Sequence, residues 1–262
     1  MRDQFHADDG CVIAFEFRPV EKCPVLVLSP SLGTTMELFD LQCEILQSQF
    51  SILRYDPRGH GASQAPAGAY SMDRLGRDVV ELLDFLNIER AHFAGVSLGG
   101  MVGQWLGVRA PDRLIRLVLA NTSAHMGPSN SWVERIAVVS QQGTSALSEA
   151  VIERWFTPGF RQAHPARVEH ARTMLLRTDP QGYAGCCAAI RDMDMRPTAA
   201  NISVPALIVC GKHDPATPPQ HSRFLADQIA GAEFVSLDAA HLANLEQSGA
   251  FTRAVARFLE QQ

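Results

Sequence analysis

The chain has almost no lysine: Lys22 and Lys212 stand alone among 262 residues, and arginine carries the rest of the positive charge. It has no run of eighteen apolar residues, so no membrane-spanning helix is expected. Residues 1–10 are polar and mixed in charge and lack the apolar stretch of a secretory leader, which sets the expectation of a cytoplasmic protein. There is no basic tract either. With a net charge of −5, the chain is poorly matched to nucleic acid or to an anionic membrane, and neither is an expected partner. The six cysteines hold no C-x-x-C or other metal-ligand spacing, so neither a zinc site nor a redox pair is expected. Chain length and the missing leader argue against a disulfide framework. Cys186 and Cys187 lie in an apolar stretch and read as packing. Internal repeats and low-complexity linkers are absent.

What is present is enough apolar sequence for one sizeable core. Short apolar runs occur at residues 11–17, Val25–Ser29, Ser51–Tyr55, 91–95, Leu114–Ala120, 206–210 and Glu233–Leu237. Several are continuous rather than alternating, as in strands buried on both faces of a parallel sheet. Helical patterns lie between them. In residues 72–86, Leu75, Val79, Leu82, Leu83 and Leu86 recur at three- and four-residue steps after the capping candidates Ser71 and Asp73. Residues 220–229 and Ser248–Leu259 read similarly. Alternating strand and helix predict an α/β fold. The alternation stops between residues 122 and 197, where Pro158, Pro165, Pro180 and Pro197 divide a helix-rich stretch. The expected division is therefore a core of residues 1–121 and 198–262 with a helical cap at 122–197. Two more helices layered on the sheet are the competing reading of that stretch.

The segment Gly95-Val96-Ser97-Leu98-Gly99-Gly100 falls where an apolar strand run ends and a helical run begins. A G-x-S-x-G in that context predicts a nucleophile elbow, with serine on a tight strand-to-helix turn. Side chains two residues to either side would clash there, which explains the glycines. In the following helix Gly99, Gly103 and Gly107 step by four and share a face, as expected for close packing on the sheet.

Serine needs a base, and in this arrangement the chain order is Ser, acid, His. Of nine histidines, His241 follows a late strand through Asp238-Ala239-Ala240 and precedes a helical segment. That is a loop at a carboxyl end of the sheet, where ligands bind in open α/β folds. The expected acid is Asp214, after the strand at 206–210, with Asp238 as its competitor. Asp214 would orient the imidazole and stabilise the imidazolium. Asn121, at the other usual acid position, cannot ionise. The oxyanion donors are expected to be the backbone N–H groups of Leu98 and of Leu32, the latter in the loop Ser31-Leu32-Gly33-Thr34.

These motifs resemble the α/β-hydrolase superfamily, and Asp56-Pro57-Arg58-Gly59-His60-Gly61-Ala62-Ser63 is similar to a turn of that superfamily. The closer resemblance is to the 3-oxoadipate enol-lactonases of the β-ketoadipate pathway of aromatic catabolism. It rests on Ser31-Leu32-Gly33-Thr34, on Gly95 to Met101, on Leu119-Ala120-Asn121-Thr122-Ser123, and on Glu153-Arg154-Trp155-Phe156-Thr157-Pro158 and Gly182-Tyr183-Ala184-Gly185-Cys186 in the cap. Pro30-Ser31 departs from the His-Gly of many relatives, which bears on the loop's shape. The resemblance implies a fold with a mostly parallel sheet, helices on both faces and a helical cap. It implies lactone hydrolysis through an acyl-enzyme on Ser97, with His241 as base and without cofactor or metal. The small-molecule lactone is an anion, so the pocket should offer a cation. Arg135 and Arg191 are proposed for its carboxylate, and Trp132 and Trp155 as pocket walls. Solvated arginines and core tryptophans are the plain alternatives. A broad carboxylesterase, a perhydrolase or a C–C bond hydrolase would share the elbow, and a ligand-binding receptor would keep the fold without needing the full Ser97, Asp214 and His241 set.

Overall fold

A computed structural model describes residues 2–261. Eight strands form one sheet: β1 (Asp3–His6), β2 (Val12–Arg18), β3 (Val25–Ser29), β4 (Ser51–Tyr55), β5 (Ala91–Val96), β6 (Leu114–Ala120), β7 (Ala206–Gly211) and β8 (Glu233–Leu237). Their spatial order is β1-β2-β4-β3-β5-β6-β7-β8. β1 and β2 are antiparallel at one edge, and every pairing from β4 to β8 is parallel. The continuous apolar runs are the strands buried on both faces: β4, β5 and β7 are buried along their whole length. This is the expected α/β-hydrolase fold, a mostly parallel sheet with helices around it.

Helices α1 (Asp40–Leu46), α2 (Met72–Phe85) and α3 (Leu98–Arg109) connect the strands of the first half. Ser71 caps α2 by accepting the Arg74 N–H at 3.1 Å, and its apolar stripe faces the core. The stretch between β6 and β7 holds α4 (Ser129–Gln142), α5 (Ser148–Trp155), α6 (Pro158–Ala163), α7 (Pro165–Arg177) and α8 (Pro180–Asp192). Proline starts α6, α7 and α8 at the first helical position, where its missing N–H costs nothing. α4 and α8 pack together. A bridge between His125 and Asp194, with Met195 N–H donating to Ala124 O at 2.7 Å, joins the two chain passages at the base of this helical segment. After β7 come α9 (Pro219–Gln228), α10 (Ala243–Glu246) and α11 (Ser248–Leu259). Among the described residues no helix is long and apolar enough to cross a membrane. All six cysteines are free thiols, five of them buried.

The chain passes from β3 outward to β4 and then returns to place β5 on the other side of β3. Connections therefore leave the carboxyl ends of β3 and β5 in opposite directions and open a crevice between them. The loops after β3, β5, β6, β7 and β8 all emerge along this edge, in sequence across neighbouring strands.

Candidate active site

Ser97 sits between β5 and α3 with φ 56° and ψ −111°, outside the regions open to ordinary L-residues. Three bonds hold it there. Its N–H donates to Ala120 O at 2.9 Å, and its carbonyl accepts the Thr122 hydroxyl at 2.7 Å and the Met101 N–H at 2.9 Å. The turn closes only because two neighbours lack side chains. A Cβ on Gly95 would lie 2.2 Å from Gly99 C, and one on Gly99 would lie 2.1 Å from Ser29 O.

Asp214 follows β7 and is buried. One carboxylate oxygen accepts the backbone N–H groups of Ala216 and Thr217 at 2.8 and 2.9 Å. The other accepts the Thr217 hydroxyl at 2.7 Å, Asn121 Nδ2 at 3.0 Å and His241 Nδ1 at 2.8 Å. Burial alone would raise its pKa. The adjacent His241 and the donors His241, Asn121 and Thr217 outweigh burial and hold it below the ordinary carboxylate value. The competitor Asp238 lies at the surface and bonds His213 Nε2 at 2.8 Å. Asp214 is thus the carboxylate that meets His241, and its bond to the Ala216 N–H also closes an Asx turn.

His241 comes from the loop after β8, and its Nδ1–H is directed at Asp214, leaving Nε2 as the free ring nitrogen. Ser97 and His241 line one cavity of about 300 Å³. Among the described residues no hydrogen bond joins the Ser97 hydroxyl to the ring; such contacts commonly tighten only around the reacting group. Leu32 lines the same cavity, and Leu98 is the first residue of α3. Neither N–H is taken by an acceptor among the described residues.

The helical cap supplies the far wall, where Trp132, Arg135 and Trp155 all face the cavity. The Arg135 guanidinium stacks over the Trp132 ring, 4.8 Å from its centroid. Arg191 does not face the cavity. It makes a two-pronged pair with Asp192, both contacts at 2.7 Å. The reason is helical phase: Tyr183 and Ile190, seven residues apart on one face of α8, line the cavity, and one residue beyond Ile190 turns the side chain about 100° away. Sequence reasoning missed Arg154, which does line it. The signal was available, because Val151, Arg154 and Trp155 at i, i+3 and i+4 share one face of α5. Burial and the positive charge of Arg135 push the Arg154 pKa down. Among the described residues neither Arg135 nor Arg154 has a salt-bridge partner; the neighbouring Glu153 pairs with Arg161.

Three supporting residues were also missed. Asn121, ruled out as an acid, donates to Asp214 and also to Ala240 O at 3.2 Å. Thr217 braces the same carboxylate. Glu246 in α10 accepts the Ala240 N–H at 3.0 Å, the Thr157 N–H at 3.3 Å and the Thr157 hydroxyl, tying the His241 loop to the cap.

The family model described as the α/β hydrolase fold matches residues 24–160, and a TAP-like protein model matches residues 179–262. The 3-oxoadipate enol-lactonase 2 of Acinetobacter baylyi is 39% identical over 97% of this chain and 95% of its own. The crystal structure of the enol-lactonase from Burkholderia xenovorans is 41% identical, with a TM-score of 0.97 over 99% of this chain and 100% of that one. A hydrolase structure from Pseudomonas aeruginosa is 45% identical with the same TM-score of 0.97, covering 99% of this chain and 98% of its own. By fold, family model and near full-length identity, the chain belongs to the α/β-hydrolase family and, within it, to the group of the 3-oxoadipate enol-lactonases.

Proposed function

We propose that the protein hydrolyses 3-oxoadipate enol-lactone to 3-oxoadipate with a Ser97, His241 and Asp214 triad, as a step of aromatic catabolism in the β-ketoadipate pathway. Ser97 Oγ attacks the lactone carbonyl carbon while His241 Nε2 takes its proton. The tetrahedral oxyanion is met by the Leu32 and Leu98 N–H groups, the latter at the positive end of α3. Collapse breaks the ring C–O bond. The leaving group is an enolate, which departs more easily than an alkoxide, takes the proton from His241 and tautomerises to the ketone. His241 then deprotonates a water that attacks the acyl-enzyme, and 3-oxoadipate leaves as Ser97 regains its proton. Asp214, ionised and fully hydrogen-bonded, stabilises the imidazolium at each transfer.

The observation that carries the substrate is the charge on the far wall. Ser97 and His241 share their cavity with Arg135 and Arg154, two guanidinium groups free of salt bridges among the described residues. Leaving two such cations in a partly buried space is costly unless an anion joins them. The substrate's free carboxylate is that anion, and fixing it at one end presents the lactone carbonyl to Ser97 at the other. The test is steady-state hydrolysis of the enol-lactone beside a neutral lactone, for the wild type, Arg135→Gln and Arg154→Gln. A lost charge-assisted hydrogen bond is worth about 1.5–3 kcal/mol, so kcat/KM for the anionic lactone should fall roughly ten- to a hundredfold in each variant. The neutral lactone should be little affected. Equal losses on both substrates would remove the carboxylate assignment, and a wild type that prefers the neutral lactone would redirect the function to a general esterase.

A further inference from the structure

The loop after β3 is a tight turn with a defined geometry. Thr34 N–H donates to Ser31 O at 3.0 Å, and the Thr34 hydroxyl donates to the same oxygen at 2.8 Å. Gly33, the third residue, has φ +77°. A closed four-residue turn with positive φ at its third position is type II. Types I and II differ by a flip of the central peptide, here Leu32–Gly33. The direction of the Gly33 N–H therefore decides which turn forms. That N–H donates to His60 Nε2 at 2.9 Å.

His60 is well placed to impose a direction. Because Nε2 accepts, Nδ1 carries the proton, and it lies 3.2 Å from Arg58 O, which it can donate to. The ring is 1% exposed. Its segment is itself fixed: Asp56 accepts the Ala62 N–H at 2.9 Å, and Arg58 makes a two-pronged buried pair with Asp78 at 2.6 and 2.7 Å. Asp56 also accepts the Met36 N–H at 2.8 Å, so the same segment grips the chain within the turn and just after it. Burial pushes the His60 pKa down to about 4, against the opposing pull of the Arg58 carbonyl and of Asp179. The ring is an acceptor at any pH near neutrality.

We propose that His60 is a positioning residue for transition-state stabilisation: its bond to the Gly33 N–H locks the type II turn and so holds the Leu32 N–H on the oxyanion. This rests on the reading of Leu32 as an oxyanion donor on a serine hydrolase. A flipped central peptide would set the Leu32 carbonyl against the lone pair of His60 Nε2, acceptor facing acceptor. Without the imidazole that penalty vanishes: the Leu32–Gly33 peptide can turn over through Leu32 ψ and Gly33 φ, and the turn that carries the preceding Leu32 N–H is no longer held in one form. The cavity walls that the cap contributes, Trp132, Arg135, Arg154 and Trp155, take no part in this turn's hydrogen bonds and are left in place for ground-state binding. The signature of the role is therefore in kcat and not in KM.

The experiment compares His60→Gln, His60→Asn and His60→Leu with wild type and Ser97→Ala, using 4-nitrophenyl acetate as substrate and thermal melts to establish folding. Gln can place an acceptor oxygen near the position of Nε2, Asn is too short, and Leu has none. Removing an oxyanion donor outright costs about a hundred- to a thousandfold, so loosening its turn should lower kcat roughly ten- to a hundredfold in the Leu and Asn variants, with KM within about twofold. The Gln variant should recover most of kcat. If the Leu variant does not fold, the contrast between Asn and Gln carries the result. A folded Leu or Asn variant with wild-type kcat, or a Gln variant as impaired as Asn, would overturn the proposal. Failure of the underlying reading looks different: wild type and Ser97→Ala would then hydrolyse the ester equally, and the role of His60 would fall with it.

Discussion

Replacing Ser97 with glycine should abolish activity and make the protein more stable. Ser97 holds φ 56° and ψ −111°, a conformation that costs an L-residue on the order of 1–3 kcal/mol. The bonds that enforce it, to Ala120, Thr122 and Met101, all involve the backbone of residue 97 and survive any change of side chain. Glycine removes the Cβ and with it the strain. Against this stands the greater freedom of glycine in the unfolded chain, roughly 0.4–1 kcal/mol. The net gain is about 1–2 kcal/mol. For a chain of this size each kcal/mol moves Tm by about 2–4 °C, so the expected rise is of the order of 2–8 °C. Ser97→Ala is the control: it loses the same hydroxyl and the same activity but keeps the Cβ, and its stability should stay within about 0.5 kcal/mol of wild type. Calorimetry of the three proteins at one pH decides the matter. If Ser97→Gly melts at or below Ser97→Ala, the elbow is not strained by its side chain and the reasoning fails.

Asn121→Asp would set a second carboxylate against Asp214 in place of a donor now 3.0 Å away; kcat should fall roughly tenfold or more, and a kcat–pH profile should show the Asp214 limb moved to higher pH. Asp214 has a folded pKa below its unfolded one, so the stability it contributes is complete above about pH 4 and is lost as pH falls through the folded value. Denaturant melts between pH 2 and 6 should show this loss in wild type, and Asp214→Asn should lack it. Glu246→Ala leaves the Ala240 and Thr157 donors without their acceptor. It should cost about 1–3 kcal/mol in denaturant melts and raise KM for the anionic lactone, because the cap loses a tie to the His241 loop.

The inner parallel strands were legible because burial on both faces leaves continuous apolar runs, and Val25–Ser29, Ser51–Tyr55 and Leu114–Ala120 fall where those runs do; the part-exposed edge strand Glu233–Leu237 was legible from its apolar residues alone. β1 was not read, because an edge strand of four residues with only Phe5 buried has no pattern to show. The elbow was legible for a local reason: Gly95, Ser97 and Gly99 meet within a single turn. His241 and Asp214 could be placed by their positions after strands, yet Asp238 satisfies the same rule, and only its distance from His241 in space separates the two. In the cap, the choice among arginines depends on helical phase. Trp155 sets the phase of α5 and points to Arg154, whereas in α8 the phase marker is Tyr183, seven residues before Ile190, and without it as a known wall the choice between Ile190 and Arg191 stays open until packing against α4 is seen. The His60–Gly33 bond joins residues 27 apart, beyond the reach of any local pattern.

The site divides its chemistry between two bodies of different character. Ser97, Leu32, Leu98 and Asp214, the proposed nucleophile, oxyanion donors and acid, follow strand ends, where the sheet and paired backbone groups fix them. The cations and indole walls stand on helices α4 and α5, in the segment between β6 and β7. His241 belongs to both. Its ring bonds Asp214 on the sheet side, while the next residue, Leu242, donates its N–H to Trp155 O at 3.0 Å, and Ala240 is bound through Glu246 to Thr157. The imidazole is therefore placed by the cap as well as by the core. A change in the cap that shifts Trp155 moves the wall of the pocket and the His241 ring together, so the proposed mechanism couples substrate fit to proton transfer through two residues on either side of one imidazole. Grafting a different helical segment between β6 and β7 would carry new specificity only if it kept the Trp155 carbonyl and the Thr157 donors in place.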